Sequence, residues 1–183
     1  MNIIAPERMT VEEFLAWSEG RPGRFELLDG RPVEMMSPER MAHVRTKTAI
    51  HFALQSAIRE RGLDCEAIGD GIGVRITDRN SFEPDCIVYC GPRLADTERY
   101  VPNPVIVVEV LSPSTQGIDV TTKLANYFKL ASLQHYLIVD ADERALVQHR
   151  RTQGEMIETR IVREGEITLE PPGLAVVVER LFA

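Results

Sequence analysis

Pro104-Val-Ile-Val-Val-Glu-Val-Leu-Ser112 is the most apolar strand-like run of the chain. It is nearly continuous in β-branched residues and is bounded by Pro104 and Pro113. Such a run reads as a central strand. Glu109 sits inside it, and a charge there costs several kcal/mol unless something pairs with it. Upstream, Pro84-Asp85-Cys-Ile-Val-Tyr89 is a second strand-like run with a carboxylate at its beginning. Alternation puts Glu109 on one face with Val105, Val107 and Leu111, and Asp85 on one face with Ile87 and Tyr89. Two acids on buried strands point to a divalent cation.

The segments on either side complete an α/β (α+β) pattern. Thr10-Val-Glu-Glu13 is a capping box opening a short helix with Phe14, Leu15 and Trp17. Asp29-Gly30 marks a hairpin between two strand-like runs. A helix spans about 41–61, with Ile50, Ala53, Leu54, Ala57 and Ile58 as its apolar face and Gly62 as its stop. Extended backwards, that face reaches Lys47, Thr46 and His43. Strands are expected at 65–68, 72–76, 84–90 and 104–111, a helix at about 118–130, and strands at 135–140, 145–149, 156–162 and 166–169. The last two read as a pair, and Pro171-Pro-Gly173 begins the tail. This order favours a central mixed β-sheet flanked by helices, partly parallel across the 118–130 crossover, with an N-terminal helix and hairpin added. Without a linker or repeat, residues 1–183 read as one domain.

Length and composition exclude several classes. The 183 residues suffice for one sizeable core, and 44% hydrophobic with 27% charged residues argues against disorder. A net charge of −7 counts against sequence-independent gripping of phosphates, though it leaves room for a local basic groove. Cys86 and Cys90 on one strand would stand about 13 Å apart, too far to bridge. Three buried free thiols are therefore expected, which suits a reducing compartment. With no signal-like or membrane-spanning run, a cytoplasmic protein without a membrane partner is expected.

Asp85 and Glu109 are oxygen donors of the kind hard cations such as magnesium require. Two bare carboxylates about 4 Å apart repel by roughly 4 kcal/mol at an effective dielectric near 20, and a bound cation removes that penalty. Phosphodiester hydrolysis also needs a protein cation, for which Lys123 is the candidate; its simpler reading is an ion pair with Asp119, four residues earlier. Glu26 reads equally as a ligand or as a surface cross-strand partner. His43 is an accessory candidate or a helix-start cap, and Lys47 faces either phosphate or solvent. Tyr127 reads as a core aromatic that orients Lys123. Met35 and Met36 read as core filling. Ser112-Pro-Ser-Thr115 lacks a nucleophile elbow and fits helix-entry turn chemistry.

Pro84-Asp85, Val108-Glu109-Val-Leu-Ser-Pro-Ser-Thr115 and Asp119-Val-Thr-Thr-Lys123-Leu-Ala-Asn-Tyr127 together resemble the Uma-two family of the PD-(D/E)XK nuclease superfamily. Phe25-Glu26-Leu-Leu-Asp-Gly30, Met36-Ser-Pro38 with His43, and His135-Tyr-Leu-Ile-Val-Asp140 match its pattern as well. The resemblance implies a restriction-endonuclease-like core in which Asp85 and Glu109 bind Mg2+ (Mn2+ as substitute) and Glu26 assists on the metal side. Lys123 would serve near the nucleophilic water or the phosphate. The superfamily's usual lysine lies two residues after the second acid, where this chain has Leu111; the family places that lysine on the following helix. The implied function is a magnesium-dependent endonuclease with DNA as the expected nucleic-acid partner. A homodimer is expected, since a duplex has two strands to cut. The alternative is an inactive binding or scaffold module on the same fold.

Overall fold

The computed structural model describes residues 8–35, 39–111, 120–154 and 156–182. Met36-Ser-Pro38, the Ser112–Asp119 segment and the proposed Asp119 partner of Lys123 lie outside the described residues. Helix α1 (Val11–Ser18) is capped as its sequence predicts: the Thr10 hydroxyl accepts the Glu13 N–H, and Glu13 accepts the Thr10 N–H. Strands β1 (Arg24–Leu28) and β2 (Arg31–Met35) form the expected hairpin, with Asp29 and Gly30 both at positive φ. A side chain at Gly30 would meet Arg8 Cβ at 2.8 Å, because Met9 donates its N–H to the Gly30 carbonyl there. Helix α2 (Met41–Arg61) ends at Gly62 in the left-handed conformation, and its last turn carries Arg59 and Arg61, which suit the helix dipole.

The remaining elements are β3 (Cys65–Gly69), β4 (Val74–Thr77), β5 (Asn80–Phe82), β6 (Cys86–Cys90), β7 (Ile106–Val110), α3 (Val120–Tyr127), β8 (His135–Asp140), β9 (Ala145–Arg151), β10 (Ile157–Val162), β11 (Glu166–Leu169) and β12 (Leu174–Val177), followed by a 3-10 turn (Val178–Leu181). They form a six-stranded sheet in the order β10-β9-β8-β7-β6-β3, a four-stranded sheet β2-β1-β5-β4, and the hairpin β11-β12. In the large sheet only β7 and β8 run parallel, joined through α3 as expected. No helix among the described residues is long and apolar enough to cross a membrane.

β7 lies inside the large sheet and is buried along its whole length. Ile106, Val108 and Val110 pack with Ile50, Leu54, Ala57 and Ile58 of α2 and with Ile167, Leu169, Leu174 and Val176 of the β11-β12 hairpin. Each such aliphatic side chain contributes about 1.5–3 kcal/mol when fully buried. Val107 faces the other way, into a cluster with Phe82, Ile87, Tyr127, Tyr136 and Ile138. Glu109 alternates onto this second face, where Leu111 also packs. Val105 does not follow the expected alternation. It precedes β7 and packs on the α2 side.

Three expectations are corrected. β5 was not expected, because a three-residue strand with two polar members leaves little periodic signal. β10 and β11 do not pair with each other: β10 pairs with β9, and β11 pairs with β12, which Gly173 permits by turning the chain at positive φ. The cysteines are not all free. Cys65 and Cys90 stand opposite each other on β3 and β6 and form a disulfide. Spacing along one strand could not show a bridge created by pairing across strands, and the inference to a reducing compartment loses its basis. Cys86 is free, and burial pushes its thiol up to about 12.

Candidate active site

Glu109 finds its partners on α3. Lys123 Nζ donates to Glu109 Oε1 at 2.9 Å and to Glu26 Oε1 at 3.0 Å. Tyr127, one helical turn later, donates its phenol to the same Glu109 oxygen at 2.7 Å. Glu26 also accepts the backbone N–H of Glu83 at 3.0 Å. Glu26, Glu109, Lys123 and Tyr127 are all buried. Burial raises the Glu26 carboxyl, Lys123 opposes that, and Glu109 adds to it; the result is a raised acid. Burial would lower the Lys123 ammonium, but Glu109 and Glu26 overcome it and hold the proton on. Burial and then Glu109 lift the Tyr127 phenol well above its usual range, so it stays a donor. Phe82 closes the group, its ring beneath Lys123 and edge-on to Tyr127.

Asp85 occupies the neighbouring corner. Its backbone N–H bonds the Val108 carbonyl, and its Oδ2 accepts the N–H of Val110 at 2.7 Å, so it is tied to the strand that carries Glu109. Burial, and next the Glu109 charge, raise the Asp85 carboxyl to about 6. Two side chains of α2 reach it: Lys47 Nζ lies 3.5 Å from Oδ1 and His43 Nε2 lies 3.9 Å from Oδ2. His43 also bonds the Val110 carbonyl at 2.9 Å and Glu39 at 3.2 Å. Lys47 bonds Glu39 and Asp70, each at 2.6 Å, and Arg24 spans Glu39, Asp70 and Glu83 at 3.2–3.4 Å. Burial works to raise the Glu39 and Asp70 carboxyls, and Lys47, together with His43 at Glu39 and Arg24 at Asp70, outweighs it and holds both below the usual range.

The structure thus brings Glu26, Asp85, Glu109, Lys123, His43, Lys47 and Tyr127 into one region. The surface reading of Glu26 gives way, since only 2% of the residue is exposed. Tyr127 bonds Glu109 rather than Lys123 itself. Glu26 and Glu109 meet through Lys123, whereas the group whose ligand atoms all lie within 4.8 Å of one another, among the described residues, is Glu39, His43 and Asp85. Glu39 was missed, as were Arg24, Asp70 and Glu83. The i,i+4 spacing of Glu39 and His43 was the available signal. Beside this region lies a cavity of about 400 Å³, lined by Arg24, Phe25, Phe82, Glu83 and Tyr100 among others. It shares Arg24, Phe82 and Glu83 with the site.

Residues 11–181 match the model of the Uma2 family, described as "Putative restriction endonuclease". The chain belongs to the Uma2 family. Its membership supports a nuclease-like function acting on nucleic acid. Two cyanobacterial proteins from Synechocystis sp. are similar to this Uma2 chain. "Uncharacterized protein slr1290" is 27% identical over 180 residues, covering 96% of this chain and 92% of its own length. "Uncharacterized protein sll1609" is 27% identical over 144 residues, covering 76% and 80%. Among solved structures, a "putative nuclease belonging to DUF820" from Anabaena variabilis superposes with a TM-score of 0.74 at 20% identity, covering 95% of this chain and 97% of the other. That likeness shows the restriction-endonuclease-like Uma2 fold.

Proposed function

We infer that this protein is a magnesium-dependent endonuclease that hydrolyses a phosphodiester bond of DNA. The observation that carries the reading is the clustering of Asp85, just before β6, Glu109, near the end of β7, and Lys123, within α3, with Lys123 held by two buried carboxylates. The donor set fits a hard cation. Six carboxylates (Glu26, Glu39, Asp70, Glu83, Asp85, Glu109) share three permanent cations, Arg24, Lys47 and Lys123. Burial first, and the Glu109 charge second, raise the Asp85 carboxyl, and a cation beside it would favour its ionised form. Asp85 and Glu109 would hold the metal, with Glu39 and His43 reaching Asp85 from the other side and Glu26 positioning Lys123. A bound magnesium ion would supply Lewis-acid polarisation of the phosphate and acidify its water.

The protein's own groups account for the rest. Tyr127 and Lys123 both bond Oε1 of Glu109, and the two bonds anchor that carboxylate oxygen on the β7 face of the site. Lys123 stays protonated at neutral pH and stabilises the negative charge that develops on the phosphate. Divalent-cation titration by calorimetry compares the wild type with Asp85→Asn, and DNA and RNA turnover is followed in Glu109→Gln and Lys123→Met. The expected result is loss of binding in the first and a fall of about 100-fold or more in turnover in the other two, with folding retained. Equal metal binding by wild type and Asp85→Asn would sink the assignment.

Two observations favour a second reading. Glu109 is already paired with Lys123, as in a purely structural ion network, and the overall charge is −7. A scaffold module of this kind would bind a partner but turn over neither DNA nor RNA with any divalent metal.

A further inference from the structure

Among the described residues β10 is the free edge of the large sheet, paired with β9 on one side alone. Its residues 157–161 are all exposed, and three apolar side chains stand in solvent there: Met156 at 71%, Ile161 at 68% and Ile157 at 37%. Edge strands that remain unpaired are normally blunted by charged side chains, proline, a bulge or a covering element. Among the described residues β10 has no proline and no bulge, and its two charges, Glu158 and Arg160, are of opposite sign, so its sequence is complementary to itself.

We propose that β10 pairs antiparallel with β10 of a second copy of this chain, about a two-fold axis at Thr159, extending the sheet from six strands to twelve. In that register Ile157 faces the partner's Ile161, Met156 faces the partner's Val162, and Glu158 faces the partner's Arg160. Each pair occurs twice, as an isologous interface requires. The backbone agrees. Thr152 N–H donates to the Met156 carbonyl, which makes 152 and 156 a bonded pair of the β9-β10 ladder. Alternation then turns the N–H and C=O of Ile157, Thr159 and Ile161 outward, so the pairs Ile157–Ile161 and Thr159–Thr159 all fall at hydrogen-bonding positions. Glu158 already bonds Arg150 of its own chain at 2.5 Å, and the partner's Arg160 would extend that row of alternating charge.

The geometry has a functional corollary, which alone rests on the nuclease reading. A two-fold axis between antiparallel strands stands perpendicular to the sheet, so both Glu109 faces open to the same side. Glu109 lies in one cross-sheet row with Ile138, Val147 and Ile161. Seven strand spacings separate the two β7 strands, about 34 Å at roughly 4.8 Å each before twist. This is about one turn of duplex DNA, so both sites would meet one duplex on the same side.

The test uses full-length protein, sedimentation analysis and two variants, independent of activity. Wild type is expected to be dimeric at tens of micromolar. Arg160→Glu sets like charges against each other twice in its homodimer, and Glu158→Arg does the same with the opposite sign. Each variant alone should weaken dimerisation by about 10-fold or more. Mixed one to one, they should form a heterodimer, because both cross-strand pairs become opposite in charge. In parallel, Thr159→Cys should cross-link under mild oxidation, since bonded partners lie about 5.5 Å apart at Cα, within disulfide reach. A monomeric wild type, variants that dimerise unchanged, or a mixture that does not recover the dimer overturns the interface. Failure of the nuclease assays touches none of these readouts.

Discussion

Tyr127 donates its phenol to Glu109 at 2.7 Å, on the oxygen that also receives Lys123. The bond joins a fully buried ring on α3 to the one charge in β7, so its loss should be felt by both stability and chemistry. Tyr127→Phe keeps the ring and its contacts with Phe82 and Tyr136. We expect about 2 kcal/mol of destabilisation, the scale of a hydrogen bond to a charged group, in urea unfolding. Turnover should fall about 10-fold with substrate affinity unchanged. A variant as stable and as active as wild type would remove the phenol from the account.

Lys123→Met removes the cation from two buried carboxylates. Breaking a buried pair in this way costs about 3–5 kcal/mol. Adding Glu26→Gln removes one of the stranded charges, so the double variant should be more stable than Lys123→Met alone. Denaturant midpoints of the four proteins of this cycle measure the coupling. Additive losses would mean that Lys123 and Glu26 act independently despite their 3.0 Å contact.

His135 is buried on β8, and burial lowers its imidazole to about 4 against an ordinary value near 6.5. Between those values the unfolded chain takes up a proton and the folded one does not. The contribution is therefore complete above pH 6.5 and is lost as pH falls through the window, up to about 3 kcal/mol. Asp85 acts in the opposite sense. Its carboxyl is raised from 3.8 to about 6, so the folded state binds the proton more tightly and stability rises as pH falls between those values. The two compensate. His135→Gln should lose less stability than wild type on acidification from pH 7 to pH 4, and Asp85→Asn should lose more. Chemical unfolding at the two pH values checks both signs.

The disulfide between Cys65 and Cys90 closes a loop of 25 residues in sequence separation. Holding that loop in the unfolded chain is worth about 3 kcal/mol. Reduction, or the Cys65→Ser/Cys90→Ser double variant, should lower Tm by an amount measurable in calorimetry. Cys86 should remain unmodified by thiol reagents in the folded protein, because its thiol is buried and pushed up to about 12.

Local pattern made much of the fold readable. The β-branched run around Glu109, the Asp29-Gly30 turn and the Gly62 stop each carry their cause within a few residues, and the structure follows them. What escaped depends on pairing. Cys65 meets Cys90 only because β3 and β6 run antiparallel in one register, and β5 is a strand only because β1 and β4 flank it. The site divides in the same way. Glu109 was conspicuous because a charge in an apolar strand is costly, and its family motif directed attention to Lys123. Glu39 offered only its i,i+4 spacing to His43, and Asp70 no sign at all, since an acid in a polar stretch resembles any solvated carboxylate until Lys47 is seen between the two.

Lys123 also joins two sheets. Glu26 belongs to the four-stranded sheet and Glu109 to the six-stranded one, and a single ammonium holds both. The seam is fastened at this point by a charge that an incoming phosphate attracts. Whatever draws Nζ away from Glu26 slackens β1 in the same act, and with it the Glu83 amide that shares the Glu26 oxygen. Uptake of a phosphate at the proposed site would thus be felt in the four-stranded sheet, and amide exchange in β1 is the measurement that would read it.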